Sequence, residues 1–239
     1  MIMKLLIIRH SDPDYEIDSI TEKGKHESLL LRDRLLKQNI SDIYCSPLGR
    51  AKATADPTLQ ALGKNAEICD WLREFDGYII DPDTGNKRIP WGLMPRDWTV
   101  EDYYNNKKWL ETPLMQSGNV KEKYNIVCAG IDKIIEKHGY VRSGNIYKVE
   151  CANCETIVIF CHFAVECVML SHLFGISPMI LWHTFSAAPS SVSTIITEEC
   201  ERGVMVFRLR SFGDISHLYA GNEEPSFPRF HEIYSTYKE

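Results

Sequence analysis

The sequence predicts an α/β fold: a three-layer α/β/α sandwich with a mostly parallel sheet and an inserted cap segment. Three observations predict it. Apolar runs rich in branched side chains alternate with helical patterns in the order strand, helix, strand, helix, which suits parallel pairing with helices packed on the sheet faces. Two of the apolar runs end abruptly in cationic or imidazole side chains, at Arg9-His10 and at His162. One long stretch, about residues 76–118, keeps neither the helical nor the strand period and reads as an excursion from an otherwise regular domain.

Each element follows in order. Lys4 to Ile8 is a buried strand that surfaces at Arg9-His10 and the turn residues Ser11-Asp12-Pro13. "SITEKGKHESLLLRDRLLKQ" reads as a helix capped by Thr21, with Leu29, Leu30, Leu35 and Leu36 as its apolar stripe. "SDIYCSP" is a short strand ending at Ser46-Pro47. "LGRAKATADPTLQALG" is a helix that Pro57 interrupts or shortens and that Gly63 stops. "AEICDWLREF" is extended, then irregular. The stretch from Asp76 to about Gly118 mixes prolines with Trp91, Trp98 and Trp109 among charges; its aromatic content argues against disorder, so it reads as a cap or lid. "KEKYNIVCAGIDKIIEKHG" is a helix stopped by Gly139. "IYKVECANCETIVIFCH" reads as a hairpin-like pair, an edge strand turning into the buried strand Thr156–Cys161. "FAVECVMLSHLFG" is a helix, and "SSVSTIITEE" and "VMVFRLRSFG" are antiparallel strands around "CERG". Residues 1–239 are therefore expected to form a single domain with a cap inserted at about 76–118.

Composition narrows the function classes. A net charge of -6 argues against nucleic acid or an anionic membrane surface as a partner. No apolar run approaches the roughly 18 residues of a membrane span, and the first residues lack a basic-then-apolar signal pattern, so a cytoplasmic protein is expected. Most of the eight cysteines sit inside apolar segments, where a free thiol behaves as a small core residue. The close pair Cys151 and Cys154 lacks a second ligand pair at zinc-site spacing, so neither zinc nor redox chemistry is expected there.

The chemistry-bearing residues converge. In a parallel-rich sheet the carboxyl ends of the strands lie along one edge, where ligands bind. Arg9 and His10 end the first strand, His162 ends a later one, and Arg50 lies in the first turn of the helix after the second. Helix starts at that edge add free backbone N–H groups. Two guanidiniums and two imidazoles around one point suit a tetrahedral phosphoryl group, because arginine offers paired donors matched to its oxygens.

The ordered set "LLIIRHSDPDY…SITEKGKHES…IYCSPLGRAKATA…WLREF…IVIFCHFAVE" resembles the histidine phosphatase superfamily, the phosphoglycerate mutase-like proteins. Ser46 to Ala55 matches the family's Ser-Pro-x-x-Arg-Ala-x-x-Thr-Ala element in full, and "DISHL" (Asp214 to Leu218) resembles a family tail motif. The resemblance spans residues 4–74 and 156–218. It implies that His10 is the nucleophile and forms a phosphohistidine, with neighbouring arginine charge keeping its imidazole neutral. It implies that Arg9, Arg50 and His162 hold the non-bridging oxygens, and that Glu74 protonates the leaving oxygen and then activates water. No metal or other cofactor is needed, since guanidiniums take the place of one.

Each residue also has an ordinary reading. A histidine after a strand is usually structural, and the paired motifs reverse that for His10 and His162. Asp76 competes with Glu74 for the acid role. Tyr15 and Trp91 are candidate pocket-lining aromatics or packed ones. His183 and His217 read as core or supporting residues, and His26, His138, His172 and His231 as surface or packing residues.

Three departures from the family pattern bear on the reaction. Ser11 stands where the family usually has glycine. The Gly-Glu-Ser and Asn of the sugar-phosphate mutases are absent after Arg9-His10, and their Glu-Arg-x-Tyr-Gly segment is replaced by "REFDGYIIDPDTG". A mutase must shield its phosphoenzyme from water, whereas a phosphatase only admits water, so hydrolysis of a small phosphorylated metabolite is expected. The competing readings are a phosphoglycerate-type mutase and a non-catalytic phospho-ligand-binding pseudoenzyme. The sequence names neither the leaving group nor the oligomeric state.

Overall fold

The computed structural model describes residues 1–227; His231 lies outside the described residues. Eight strands form the central sheet: β1 (Lys4–Arg9), β2 (Asp42–Cys45), β3 (Glu67–Ile68), β4 (Tyr140–Ser143), β5 (Ile146–Val149), β6 (Thr156–Cys161), β7 (Val192–Glu201) and β8 (Val204–Asp214). Their order across the sheet is β3-β2-β6-β1-β7-β8-β5-β4. The β3–β2, β2–β6 and β6–β1 pairs are parallel, and the later pairs are antiparallel. β8 and β4 therefore point the same way as β1, and only β7 and β5 run against the sheet.

Among the described residues six helices of five residues or more accompany the sheet: α1 (Glu22–Leu35), α2 (Gly49–Leu62), α3 (Val120–Lys137), α4 (Phe163–Phe174), α5 (Pro178–Thr184) and α6 (Ser216–Ala220). Strand periodicity assigns the layers. Leu5 and Ile7 of β1, with Ile159 and Cys161 of β6, face α3 and α4. Leu6 and Ile8, with Val158 and Phe160, face Leu31 and Leu35 of α1 and Ala51 and Ala55 of α2. β1 and β6 are thus buried on both sides, which is why they read as continuous apolar runs. Ile7 and Ile8 have no exposed surface, so truncation of either to alanine costs about 2–5 kcal/mol.

Local signals in the sequence account for most boundaries. The Thr21 side chain accepts a hydrogen bond from the Gly24 N–H and caps α1. Gly63 closes α2 at φ 61, a left-handed conformation that favours glycine. Two expectations change. Pro57 neither interrupts nor shortens α2, which runs through it. It deprives the Ala53 carbonyl of a helical partner, but Pro57 and Ala53 lie on a half-buried face while Ala51, Thr54, Ala55 and Thr58 are buried, and that packing holds the helix together.

The hairpin expected over Ile146 to Cys161 does not form. β5 instead pairs with β4 across a tight turn at Gly144, where φ is 66, and with β8, while three strands separate it from β6. β6 needs partners on both sides, and β2 and β1 supply them in parallel, so Cys151 to Glu155 carries the chain across the sheet instead of turning it back.

Residues 76–118 contain a two-residue ladder, Ile79–Ile80 with Lys87–Arg88, and single helical turns at Pro95–Trp98, Glu101–Tyr104 and Pro113–Gln116. Tyr103, Trp109 and Met115 from this segment share one buried cluster with α3 and α4. Trp98 stacks on His183 of α5 with ring centroids 5.0 Å apart, and the His183 Nε2 accepts from the Leu93 N–H at 3.2 Å. Cys45, Cys69, Cys128, Cys161 and Cys167 are buried, whereas Cys151, Cys154 and Cys200 are exposed. Among the described residues no helix is long and apolar enough to cross a membrane.

Candidate active site

The carboxyl ends of β1, β2 and β6 meet at one edge, and the chain returns to that edge after β3. Parallel pairing sets Arg9 of β1 opposite Cys161 of β6, so His10 and His162 leave adjacent strand ends side by side. Their ring centroids are 5.1 Å apart. Both imidazoles are almost wholly buried.

The hydrogen bonds fix what each ring presents. Nδ1 of His10 lies 2.8 Å from the Ser11 carbonyl, which only accepts, so the proton sits on Nδ1 and Nε2 keeps its lone pair. The His10 pKa falls to about 3, first because burial disfavours the charged ring and second because the Arg9 guanidinium lies beside it. Burial, more than the arginine charge expected from the sequence, keeps the ring neutral. Nε2 of His162 is 2.8 Å from the Ser46 hydroxyl. That hydroxyl oxygen also accepts from the Leu48 N–H at 3.3 Å, and His162 is the one acceptor its own proton has among the described residues. The His162 proton then sits on Nδ1, a buried atom with no partner among the described residues. His162 is also held neutral, by burial and then by the charges of the His10 site.

The two guanidiniums are fixed differently. Arg9 is buried; one terminal nitrogen donates to the Ala187 carbonyl, and its Nε has no partner among the described residues. Arg50 donates to Asp18 Oδ1 at 2.7 Å, while Asp18 Oδ2 accepts from the Gly49 N–H at 2.7 Å. One carboxylate therefore pins both the start of α2 and the side chain in its first turn. A Cβ at Gly49 would stand 2.0 Å from the Asp18 carbonyl oxygen, so only glycine permits this approach. The Arg50 and Gly49 hydrogen bonds hold the Asp18 carboxyl below its usual range, despite some desolvation.

Glu74 lies against the α4 N-terminus. Its Oε1 accepts from the backbone N–H groups of Phe75, Ala164 and Val165 at 2.9, 3.0 and 3.1 Å. Burial nevertheless pushes its pKa up. Asp76, the competing acid, is exposed and takes Lys123 Nζ at 2.9 Å, away from α4. The structure thus brings together Arg9, His10, Arg50, His162 and Glu74. Tyr15 is two-thirds exposed at the rim, with the Arg50 guanidinium carbon 5.5 Å from its ring. Trp91 is half-buried behind Glu74, donating its indole N–H to the Phe75 carbonyl at 3.2 Å, which places it as a brace for that loop.

The Ser11 N–H donates to Thr54 Oγ1 at 2.9 Å, so the residue replacing the usual glycine is tied to α2. His217 is one residue removed from the site: its Nε2 meets Ser190 Oγ at 3.1 Å, and the Ser190 N–H donates to the His10 carbonyl at 3.0 Å. Sequence reasoning missed the supporting roles of Ser46 and Asp18. Ser46 was visible only as part of a motif, and Asp18 carries no local signal because its partners lie thirty residues away in the chain.

Comparison with known proteins agrees with this geometry. Residues 5–84, which include Arg9, His10, Arg50 and Glu74, match the model of the histidine phosphatase superfamily (branch 1). Over that stretch the chain is similar to members of that superfamily. It is 26% identical to phosphoserine phosphatase 1 of Hydrogenobacter thermophilus over 212 residues, covering 83% of this chain and 88% of that protein. A phosphoserine phosphatase from Entamoeba histolytica superposes with a TM-score of 0.59 at 20% identity, over 90% of this chain and 99% of the other. The mycobacterial glucosyl-3-phosphoglycerate phosphatase gives 0.60 at 14% identity, over 89% and 99%. These structures share the fold. His162 lies outside the matched stretch, and the three-dimensional site supplies it.

Proposed function

We propose that this chain is a metal-independent phosphomonoester hydrolase that works through a phosphohistidine on His10 and acts on a small phosphorylated metabolite. The observation that carries this reading is the state of His10. Its Nδ1 proton is committed to the Ser11 carbonyl, its Nε2 lone pair is unprotonated at neutral pH, and it stands among Arg9, Arg50 and His162.

In the first step Nε2 of His10 attacks phosphorus and the bond to the leaving oxygen breaks. Arg9, Arg50 and the Nδ1–H of His162 hold the non-bridging oxygens, where positioning and charge stabilisation supply most of the catalysis. Glu74, whose pKa burial raises, gives a proton to the leaving oxygen. It then takes one from the water that attacks the phosphohistidine, which returns His10 and releases phosphate. Tyr15 contacts the leaving group at the rim.

The reading extends to organisation and setting. Residues 1–239 act as one histidine phosphatase-like domain in which the 76–118 segment is a cap that sets specificity, supported by its shared core with α3 and α4. A cytoplasmic setting is supported by eight unpaired thiols, since disulfides are rare where thiols stay reduced. Names of relatives point to phosphorylated hydroxy and amino acids as the first substrates to assay.

The test is phosphate release from an aryl phosphate in the presence of chelator, for the native protein and His10→Ala. Chelator-resistant release that disappears with His10 is expected, together with an acid-labile phosphoenzyme in the native protein alone. Release that needs a metal, or that survives His10→Ala, would refute the mechanism.

A further inference from the structure

The mechanism leaves one buried carboxyl unused, directly beneath the phosphate site. Glu166 lies in the first turns of α4, four residues after His162, and is 1% exposed. Its Oε1 is buried with no hydrogen-bond partner among the described residues. Arg9 lies near enough for its charge to favour the carboxylate, beyond direct ion-pair distance. Ser193 of β7 stands opposite Ile7 of β1, so Ser193, Ile7 and Arg9 present their side chains to the same face, the one that α4 covers. Arg9 Nε is likewise buried and unpaired. A buried carboxyl with an unsatisfied oxygen is costly, and a core position in α4 would be filled more cheaply by leucine or methionine.

The groups facing Glu166 come from every element around it. Arg9 on β1 and the Ser193 hydroxyl on β7 favour its charged form. Glu74, in the loop after β3, opposes it, and the Cys161 and Cys167 thiols stay neutral. Burial dominates and pushes the carboxyl up to about 7, so near neutral pH it holds a proton part of the time.

Resting on the reading of this edge as a phosphate site, we propose that Glu166 is a positioning residue that serves as a proton-exchanging counter-charge for Arg9, partly ionised at neutral pH while the site is empty and protonated when a phosphoryl dianion occupies it. With the site empty, a carboxylate near Arg9 balances a guanidinium whose hydrogen-bond partner among the described residues is one neutral carbonyl. When a dianion settles on Arg9 and Arg50, that carboxylate faces new negative charge across a water-poor interior. It takes one proton from solvent, forming an O–H bond, and gives the proton back when phosphate leaves. Anion binding and proton binding are then reciprocally coupled. The ester dianion binds without carboxylate repulsion, and release of inorganic phosphate is assisted as Glu166 ionises.

Sulfate tests this, because its charge is constant from pH 6 to pH 8. Its affinity is measured by calorimetry at both pH values for the native protein, Glu166→Gln and Glu74→Gln. The native protein is expected to bind sulfate about tenfold more weakly at pH 8 than at pH 6. Glu74→Gln is expected to keep that dependence, and Glu166→Gln to lose it, changing less than twofold. A native affinity independent of pH overturns the proposal, as does a dependence that persists in Glu166→Gln or vanishes only in Glu74→Gln. If Glu166→Gln fails to fold, binding heats in two buffers of different ionisation enthalpy read proton uptake on the native protein and on Glu74→Gln. Uptake of a fraction of a proton at pH 7 in both supports the proposal, and none in either refutes it. Failure of sulfate to bind at all, or binding unaffected by Arg9→Ala, would instead strike at the phosphate-site reading itself.

Discussion

Ser46→Ala isolates the tautomer argument. In the native protein the Ser46 hydroxyl is fully buried and 2.8 Å from His162 Nε2, and this bond alone commits the His162 proton to Nδ1, toward the site. Removing Oγ strands a buried ring nitrogen and lets the proton move to Nε2, turning Nδ1 from a donor into an acceptor that repels phosphoryl oxygens. An unsatisfied buried polar group costs about 1–3 kcal/mol, and carried into the transition state that is roughly 5- to 150-fold in kcat/KM. Steady-state kinetics with an aryl phosphate reads the loss, and ¹⁵N–¹H correlation spectra of the His162 ring read the proton's position. A kcat/KM within twofold of native, with the proton still on Nδ1, would show that Ser46 does not set the tautomer.

Two further outcomes follow from the titrating groups. With His10 lowered to about 3 and His162 also well below an ordinary imidazole, kcat at saturating substrate should stay level from neutral pH down to about pH 4; an acid limb near pH 6.5 in initial rates would contradict this. Glu27 is fully buried, with Oε2 on the Asp12 N–H at 2.8 Å and Oε1 unpartnered, and burial raises it to about 7. Because the folded state holds this proton more tightly than the unfolded chain, stability should fall as pH rises from about 4.5 to about 7 and level off above, by up to ~3 kcal/mol. Denaturant titrations of Glu27→Gln should show that part of the fall removed, and an identical pH dependence in the two proteins would disprove the assignment.

Features fixed by short-range chemistry were legible in the sequence. β1 and β6 read as apolar runs because both of their faces are covered, and Arg9, His10 and His162 read as site residues because they end those runs. Thr21 and Gly63 announced helix ends through a side-chain acceptor and a left-handed φ. The Ser-Pro-x-x-Arg element placed Arg50 without any tertiary information. Tertiary structure alone decided which strands pair. Ile146–Val149 has hydrogen-bonding edges that suit any neighbour, and burial of β6 between β2 and β1 excluded the adjacent one. It also decided which carboxylates matter. Asp18, Glu27 and Glu166 are indistinguishable from surface acids in the sequence, and Glu74 was set apart from Asp76 only by its place against α4, since a carboxyl's state depends on desolvation and on partners that folding brings from distant parts of the chain.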